Sequence, residues 1–362
     1  MMLNLNPLKA LFKQDSYLGV DIGTASIKIV ELKNAEKKPK LINYASLESP
    51  EHLDRVNSAI QTSSLDIGIE HTTALLRQLL DQMKPTTREA VGSLPSFLTF
   101  MTMIELPDMP EADLAKAIGF HARQYIPFKT EDVAIDWARV GSYEDESGKT
   151  KHQIFVTAVP NEYIRRYQQI FKRAGLSLKA LEAESFSIVR SLIVNDPTAT
   201  IIADIGNRST NIAVSDQGHL KHNAQIDFAG ISLTQAISNG LSIRMSRAEE
   251  LKKRNGLTAL GTGEYELSTL MLPFLDAILT EIQRVKATYE KKSARTVERV
   301  VLTGGGARLP GIGPYAEKHL MMPVVVDSPF KTLEYDLAQE PVLASLAPLF
   351  SVAVGLGLRE LI

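Results

Sequence analysis

Short apolar blocks alternate with polar ones along the chain, and the period of the pattern changes in an ordered way. Residues 17–20 form an apolar run, 27–32 alternate, and 39–47 read as a further strand, which predicts three strands with a tight turn between the first two. Leu75, Leu76, Leu79, Leu80 and Met83 then fall at helical spacing, stopped by Pro85. The strand–turn–strand opening returns at 200–203 and 212–214, after Asn195-Asp196-Pro197 has separated the two halves. Between them, 89–104 reads as two strands around Leu94-Pro95-Ser96. A helix follows with Leu114, Ala117, Ile118, Ala122 and Tyr125 on one face, ended by Ile126-Pro127-Phe128. Strand patterns at 133–140 and 152–159 flank a polar loop. Asn161 then opens a helix with Tyr163, Ile164, Tyr167, Ile170, Phe171 and Ala174 inward, stopped by Gly175.

The expected organisation is α/β. Residues 1–96 and 179–198 make a first lobe, and 97–178 a small α+β insertion. Residues 199–362 make a second lobe with a mostly helical subdomain at about 228–292. In that subdomain Leu275, Ile278, Ile282, Val285 and Tyr289 predict a helix over 274–292. Residues 342–358 read as a buried closing helix, since Ser345, Pro348, Ser351, Gly355 and Gly357 interrupt them too often for a membrane span. Residues 1–13 carry Leu8, Leu11 and Phe12 on one helical face, a pattern for a short packed helix or a docking helix.

The chemistry collects at the turns. Asp21-Ile22-Gly23-Thr24-Ala25-Ser26-Ile27-Lys28 places a glycine and two hydroxyls where backbone N–H groups can crowd round an anion. Asp21 is placed to hold a hydrated Mg²⁺, and Lys28 to reach a phosphate. Asp204-Ile205-Gly206-Asn207-Arg208-Ser209-Thr210-Asn211-Ile212 repeats the motif about one domain later. Two such hairpins facing each other would grip a polyphosphate, with Asp21 and Asp204 near one cation and Gly23, Thr24, Ser26, Gly206, Asn207, Ser209 and Thr210 lining the phosphates. A strand at 299–302 leads into Thr303-Gly304-Gly305-Gly306-Ala307, and those glycines allow close approach of a flat ligand. Glu184, ahead of a helix at 186–194, is the candidate to orient a water for hydrolysis. Gly148-Lys149-Thr150 is no Walker A tail, because Tyr143 stands where that motif needs glycine. His219 and His222 are a lone pair in a turn.

Composition narrows the class. Of 362 residues 44% are hydrophobic, enough for a sizeable core, and a formal charge of −2 gives no overall basic surface for nucleic acid. There is no cysteine, which excludes disulfides and Cys-zinc sites. The first residues lack a signal-peptide pattern, so the chain reads as soluble and cytoplasmic.

In this order the two hairpins and the glycine loop resemble the phosphate and adenosine loops of the actin, sugar-kinase and heat-shock-chaperone superfamily. Within it the chain resembles the PilM family of type IV pilus assembly, itself similar to FtsA. The matching residues are Gly19-Val20-Asp21-Ile22-Gly23 with Ser26-Ile27-Lys28, Ile104-x-Leu106-Pro107, and Gln124-Tyr125-Ile126-Pro127-Phe128 with Asp136. They continue with Ala203-Asp204-Ile205-Gly206, Ala248-Glu249-x-x-Lys252, Leu302-Thr303-Gly304-Gly305-Gly306 and Ser351-Val352-Ala353-x-Gly355-Leu356. The resemblance implies an actin-like ATPase fold, a duplicated ribonuclease-H-like core, with ATP and Mg²⁺ between two lobes. It implies that Glu249 and Lys252 approach the ribose and adenine. It also implies that the cytoplasmic N-terminal tail of a PilN-like inner-membrane protein binds in a groove beside the insertion. Pilus motor ATPases and self-association are further implied contacts.

Three functions compete. One is an ATP-binding switch and scaffold in pilus assembly, peripheral at the inner membrane through partners, with at most slow ATPase activity. The second is an FtsA-like division filament; the chain stops at Ile362 directly after the closing helix, without the linker and amphipathic tail expected of one. The third is a small-molecule kinase, for which no sugar-pocket motif is evident.

Overall fold

A computed structural model describes residues 15–48, 68–145, 147–258 and 265–362, so the amphipathic segment expected at 1–13 lies outside the described residues. Strands β1 (Ser16–Ile22), β2 (Ser26–Lys33) and β3 (Lys40–Glu48) form an antiparallel meander. After helix α1 (Ile69–Met83), β4 (Glu89–Leu94) adds parallel to β1 and β8 (Ser177–Ala183) parallel to β4, giving the order β3-β2-β1-β4-β8. A second sheet repeats this order and these senses. Its strands are β9 (Thr200–Ile205), β10 (Thr210–Asp216), β11 (His219–Ile226), β12 (Arg299–Thr303) and β13 (Val324–Val326), arranged β11-β10-β9-β12-β13. The repeat read in the turns is therefore a repeat of whole sheets.

Both sheets are covered on two faces, which is why their central strands read as continuous apolar runs. On β12, Val300 and Leu302 face a core built with the second lobe's helices, while Val301 faces the helices between the lobes. On β1, Leu18, Val20 and Ile22 pack against Leu76, Leu79 and Leu80 of α1.

A third sheet, β5 (Phe100–Pro107), β6 (Val133–Glu144) and β7 (Thr150–Pro160), runs β5-β7-β6 and is antiparallel throughout. Helix α2 (Glu111–Tyr125) covers it with Leu114, Ile118 and Ala122. The insertion is thus smaller than the expected 97–178. Helix α3 (Asn161–Arg173) buries Tyr167, Ile170 and Phe171 in the first lobe's core, and β8 completes that lobe's sheet.

The second lobe holds α5 (Gly230–Leu241), α6 (Met245–Asn255), α7 (Tyr265–Ser293) and α8 (Ile312–Leu320). Helix α7 starts earlier than 274 and carries Pro273 inside it, held on either side by Met271 and Leu275 in the core. The chain's last part does not stay in this lobe, as the expected 199–362 boundary required. Phe330, Leu343, Phe350 and Leu358 pack with Val30, Leu32 and Leu41 of the first sheet. Nor is 342–358 one helix. Helix α9 (Glu340–Leu346), a 3-10 turn (Ala347–Leu349) and α10 (Ser351–Leu358) are bent by 95° across the break. Among the described residues no single helix is long and apolar enough to cross a membrane.

Helix α10 is buried at all eight positions and lies between β1 and helix α4 (Glu184–Leu192). It fits because its neighbours touch at backbone level. A methyl on Gly355 would overlap the Ser187 carbonyl, and one on Gly19 the Ala353 carbonyl. Arg190 of α4 locks the joint, donating to Gly355 O at 2.9 Å and to both Glu182 oxygens at 2.7 Å. Gly355→Ala is expected to lower stability by about 2 kcal/mol or more through overpacking. Urea denaturation checks this, and an unchanged midpoint would contradict the packing described.

Candidate functional site

The two hairpins meet across a cleft. In the first, the Gly23 N–H donates to Ser26 O at 3.0 Å and closes the turn. Asp21 stands opposite Lys28 in the ladder, and Lys28 Nζ lies 3.0 Å from Asp21 Oδ2. Ser93 on β4 donates its hydroxyl to Asp21 Oδ1 at 3.0 Å and accepts the Ile22 N–H at 3.1 Å, which ties the hairpin to the neighbouring strand. In the second, the Gly206 N–H donates to Ser209 O at 3.1 Å, and Asp204 stands opposite Asn211. Gly206 O accepts the Gly230 N–H and Asn207 O the Ile231 N–H, so the start of α5 is fixed to this turn. Among the described residues, the backbone N–H groups of Thr24, Ala25, Asn207 and Gly305 have no backbone acceptor, which leaves donors for an anion.

The glycine loop lies over Asp204. Gly304 has φ +81°, and a side chain there would overlap Asp204 Oδ1 and the Ile205 carbonyl. Its N–H donates to Pro348 O at 2.8 Å, and Thr303 Oγ1 lies 2.6 Å from Ser351 Oγ. The loop is therefore held by the segment that returns to the first lobe. On the other wall Lys252 is buried and pinned: its Nζ lies 2.7 Å from Glu249 Oε2, 2.9 Å from Gly230 O and 2.8 Å from Thr234 Oγ1. Burial pulls this ammonium below its ordinary value, although Glu249 works against that. The same pair holds Glu249 low in spite of its own burial.

These elements enclose a cavity of about 420 Å³, in the range of ligand clefts. Asp21, Gly23, Thr24, Ser26, Lys28, Glu184, Asp204, Gly206, Asn207, Ser209, Glu249, Lys252 and Gly304 to Gly306 all line it. Thr210 does not, contrary to expectation. Its buried hydroxyl turns away and donates to Phe228 O at 2.7 Å, because position 210 already belongs to β10. Arg208, in the second turn, places its guanidinium 6.0 Å from the Phe97 ring centroid, and Lys253, which was not anticipated, reaches Glu48 at 3.7 Å. Both contacts join the lobes and come from ordinary-looking positions; only the fold brings them together.

Charge in the cavity is unbalanced. Glu184 opens α4, accepting the Ser96 N–H at 3.1 Å. Burial, then Asp21 and Asp204, push its carboxyl well above the carboxylate range. Burial and then Asp21 raise Asp204 to about 6. Burial works against the charge on Lys28, but Asp21, Asp204 and Glu184 more than offset it and hold the ammonium above its ordinary value. Lys28 answers Asp21, whereas the matching position beside Asp204 is the neutral Asn211. Among the described residues no three Asp, Glu or His side chains could together hold a metal ion. The donor set fits a cation that arrives with its own ligands and needs only charge and water-mediated contacts from the carboxylates.

The family described as Type IV pilus assembly protein PilM matches residues 19–361. The chain belongs to the PilM family. Among curated relatives, cell division protein FtsA of Agrobacterium fabrum is 29% identical over 239 residues, 59% of this chain. That match spans 52%, about half, of the relative's length. The structure of a PilM-PilN type IV pilus biogenesis complex is similar over 97% of this chain and 99% of that one, with TM-score 0.82 and 22% identity. MreB5 of Spiroplasma citri bound to AMPPNP covers 94% and 95%, with TM-score 0.52 and 15% identity. The fold is actin-like, as the duplicated sheets required.

The raised carboxyl of Asp204 gives a pH test. The folded protein keeps a proton here that the unfolded chain, at 3.8, has lost. This contribution to stability is complete below about pH 4 and disappears as pH rises through about 6. Asp204→Asn is expected to flatten this part of the profile and to make the ligand-free protein more stable than wild type near pH 7.5, by about 1 kcal/mol. Thermal melts across pH 4–8 read the difference, and identical profiles would show that Asp204 is not so placed.

Proposed function

We propose that this chain is a nucleotide-dependent scaffold of the type IV pilus inner-membrane assembly platform, holding Mg-ATP between its lobes. The observation that carries this reading is the convergence of both Asp-Ile-Gly hairpins and the glycine loop on one cleft. Thr24, Ser26, Asn207, Ser209 and the open N–H groups of the turns hold the phosphates. Gly304 to Gly306 back the adenosine, and Glu249 with Lys252 form the wall beside it. Asp21 and Asp204 attract the cation through water, and that ion supplies the positive charge that the phosphates and buried carboxylates lack. Glu184 is the candidate to orient a water, but its raised carboxyl makes a poor base, so turnover is slow and occupancy rather than product is the output. Lobe closure on the nucleotide then changes affinity for a partner.

The partner in this reading is the cytoplasmic N-terminal tail of a PilN-like membrane protein, which holds the chain peripherally at the inner membrane. It supports the reading that the PilM-PilN complex shares this fold over nearly the whole chain. Among the described residues the small β5-β7-β6 subdomain supplies none to the cavity, and it exposes Phe120 (64%), Tyr125 (54%) and Phe128 (45%), whereas Ile126 and Trp137 pack in or against its core. An extended tail beside it would gain main-chain hydrogen bonds and side-chain pockets.

At about a hundredfold excess over Kd, Mg-ATP is expected to add about 2.7 kcal/mol to stability. Asp21→Ala and Asp204→Ala should each reduce that shift in a thermal melt; an undiminished shift in either would remove the two-hairpin site. For the partner, Phe100 and Ala158 are paired in adjacent strands, so a short linker can replace residues 100–160 without stretching the first lobe. That deletion is expected to abolish binding of the tail peptide in a titration while Mg-ATP binding persists. Equal peptide affinity for deleted and full-length protein would place the partner elsewhere.

A further inference from the structure

Asn211 holds in the second hairpin the place that Lys28 holds in the first, yet it does not turn to the aspartate opposite. Its amide nitrogen donates to Ser185 Oγ at 2.8 Å, and Ser185 Oγ donates to Asn223 Oδ1 on β11 at 2.7 Å. Asn211 is 4% exposed and lines the cavity, and its Oδ1 is buried without a hydrogen-bond partner. A buried acceptor left in this state carries a desolvation cost that a donor brought into the cavity would relieve.

Two residues before Asn223 stands a second unusual side chain. The ladder pairs Val214 with His222 and Ser215 with Leu220, so Lys221 is the extra residue of a bulge. Its Nζ is buried and donates to Val140 O at 2.5 Å and Gln153 Oε1 at 2.9 Å, both in the small subdomain. Val140 is itself the extra residue of a bulge, since Arg139 pairs with Ile154 and Gly141 with Gln153. Each bulge turns out a group that the other accepts. Gly141 leaves the room, because a methyl there would stand 2.5 Å from Lys221 Nζ. Around this contact Val140 and Phe155 of the subdomain pack with Ile188 and Leu192 of α4 and Ala213 and Leu220 of the second sheet. The subdomain is inserted in the first lobe's sequence but is also seated on the second lobe.

We propose that Asn211 senses a hydrogen-bond donor of the bound nucleotide or its metal-held water, and that Ser185, Asn223 and Lys221 pass this to the seat of the small subdomain. Asn211 is a positioning residue in this scheme, and Lys221 the clamp through which occupancy reaches the partner-binding unit. The scheme rests on the nucleotide reading given above.

The test uses the full chain, following hydrogen exchange in peptides over 133–144 and 150–160 with and without Mg-ATP, beside the Mg-ATP thermal shift. In wild type, Mg-ATP is expected to slow exchange there by about fivefold, the low end of ordinary coupling between sites. Lys221→Met should keep the thermal shift and lose the slowing. Gly141→Ala displaces the same ammonium from the opposite side and should do the same, which covers failure of the first variant to fold. A wild-type thermal shift without slower exchange overturns the coupling, as does full slowing in a folded variant. No thermal shift in wild type overturns the nucleotide reading, and this scheme with it.

Discussion

Three carboxylates, Asp21, Asp204 and Glu184, share the cleft with one ammonium close enough to answer them, Lys28, and that imbalance organises the molecule. Like charges brought together away from water raise one another's affinity for protons. The two groups without a cationic partner, Glu184 and Asp204, are the ones displaced upward. Near neutral pH these two groups therefore weigh against the fold rather than for it. The fold is held by the apolar layers behind the cleft. The cleft's carboxylates suit a cation, and the turns beside them offer N–H groups and hydroxyls that suit an anion.

The origin of the imbalance lies in the duplication. Both halves build the same five-stranded sheet and put an aspartate at the same place on the first hairpin. The residue opposite differs, lysine in one half and asparagine in the other. One hairpin therefore pairs its aspartate with an ammonium, and the other turns its amide toward Ser185 and the second lobe's β11.

Much of this was legible in the chain because it rests on local chemistry. Asp-Ile-Gly followed by hydroxyl residues specifies a turn wherever it occurs, and two copies with a glycine loop specify a cleft. Two of the small subdomain's strands were legible as the strand patterns at 133–140 and 152–159. What was not legible depends on which surface an apolar face meets. The face of α3 bearing Tyr167, Ile170 and Phe171 would serve equally against the small sheet or the first lobe; Gly92, which leaves room for the Phe171 ring, decides for the lobe. The return of 328–362 to the first sheet leaves no pattern, since α10 is apolar on every side. Thr210 was misplaced by one position of register, which in a strand reverses the facing of a side chain. Lys221 and Val140 were invisible because bulges appear only when two strands are paired.

The distribution of contacts between the lobes also favours motion about one end. At the inner end, Val91, Ile188, Ile202, Val301 and Leu356 form a buried apolar cluster that joins both sheets to α4 and α10. Separating it would expose large side chains, so it behaves as a hinge rather than an interface that opens. Beside the cavity the lobes meet through Arg208 on Phe97 and Lys253 with Glu48. Contacts of that kind are worth roughly 0–1 kcal/mol each when solvated. Parting these two contacts therefore costs little, and forming them gains little unless something inside draws the hairpins together. A ligand that bridged both turns would supply that difference, and the small subdomain, seated by Lys221 next to the hinge, is placed where a modest rotation of the second lobe would be felt.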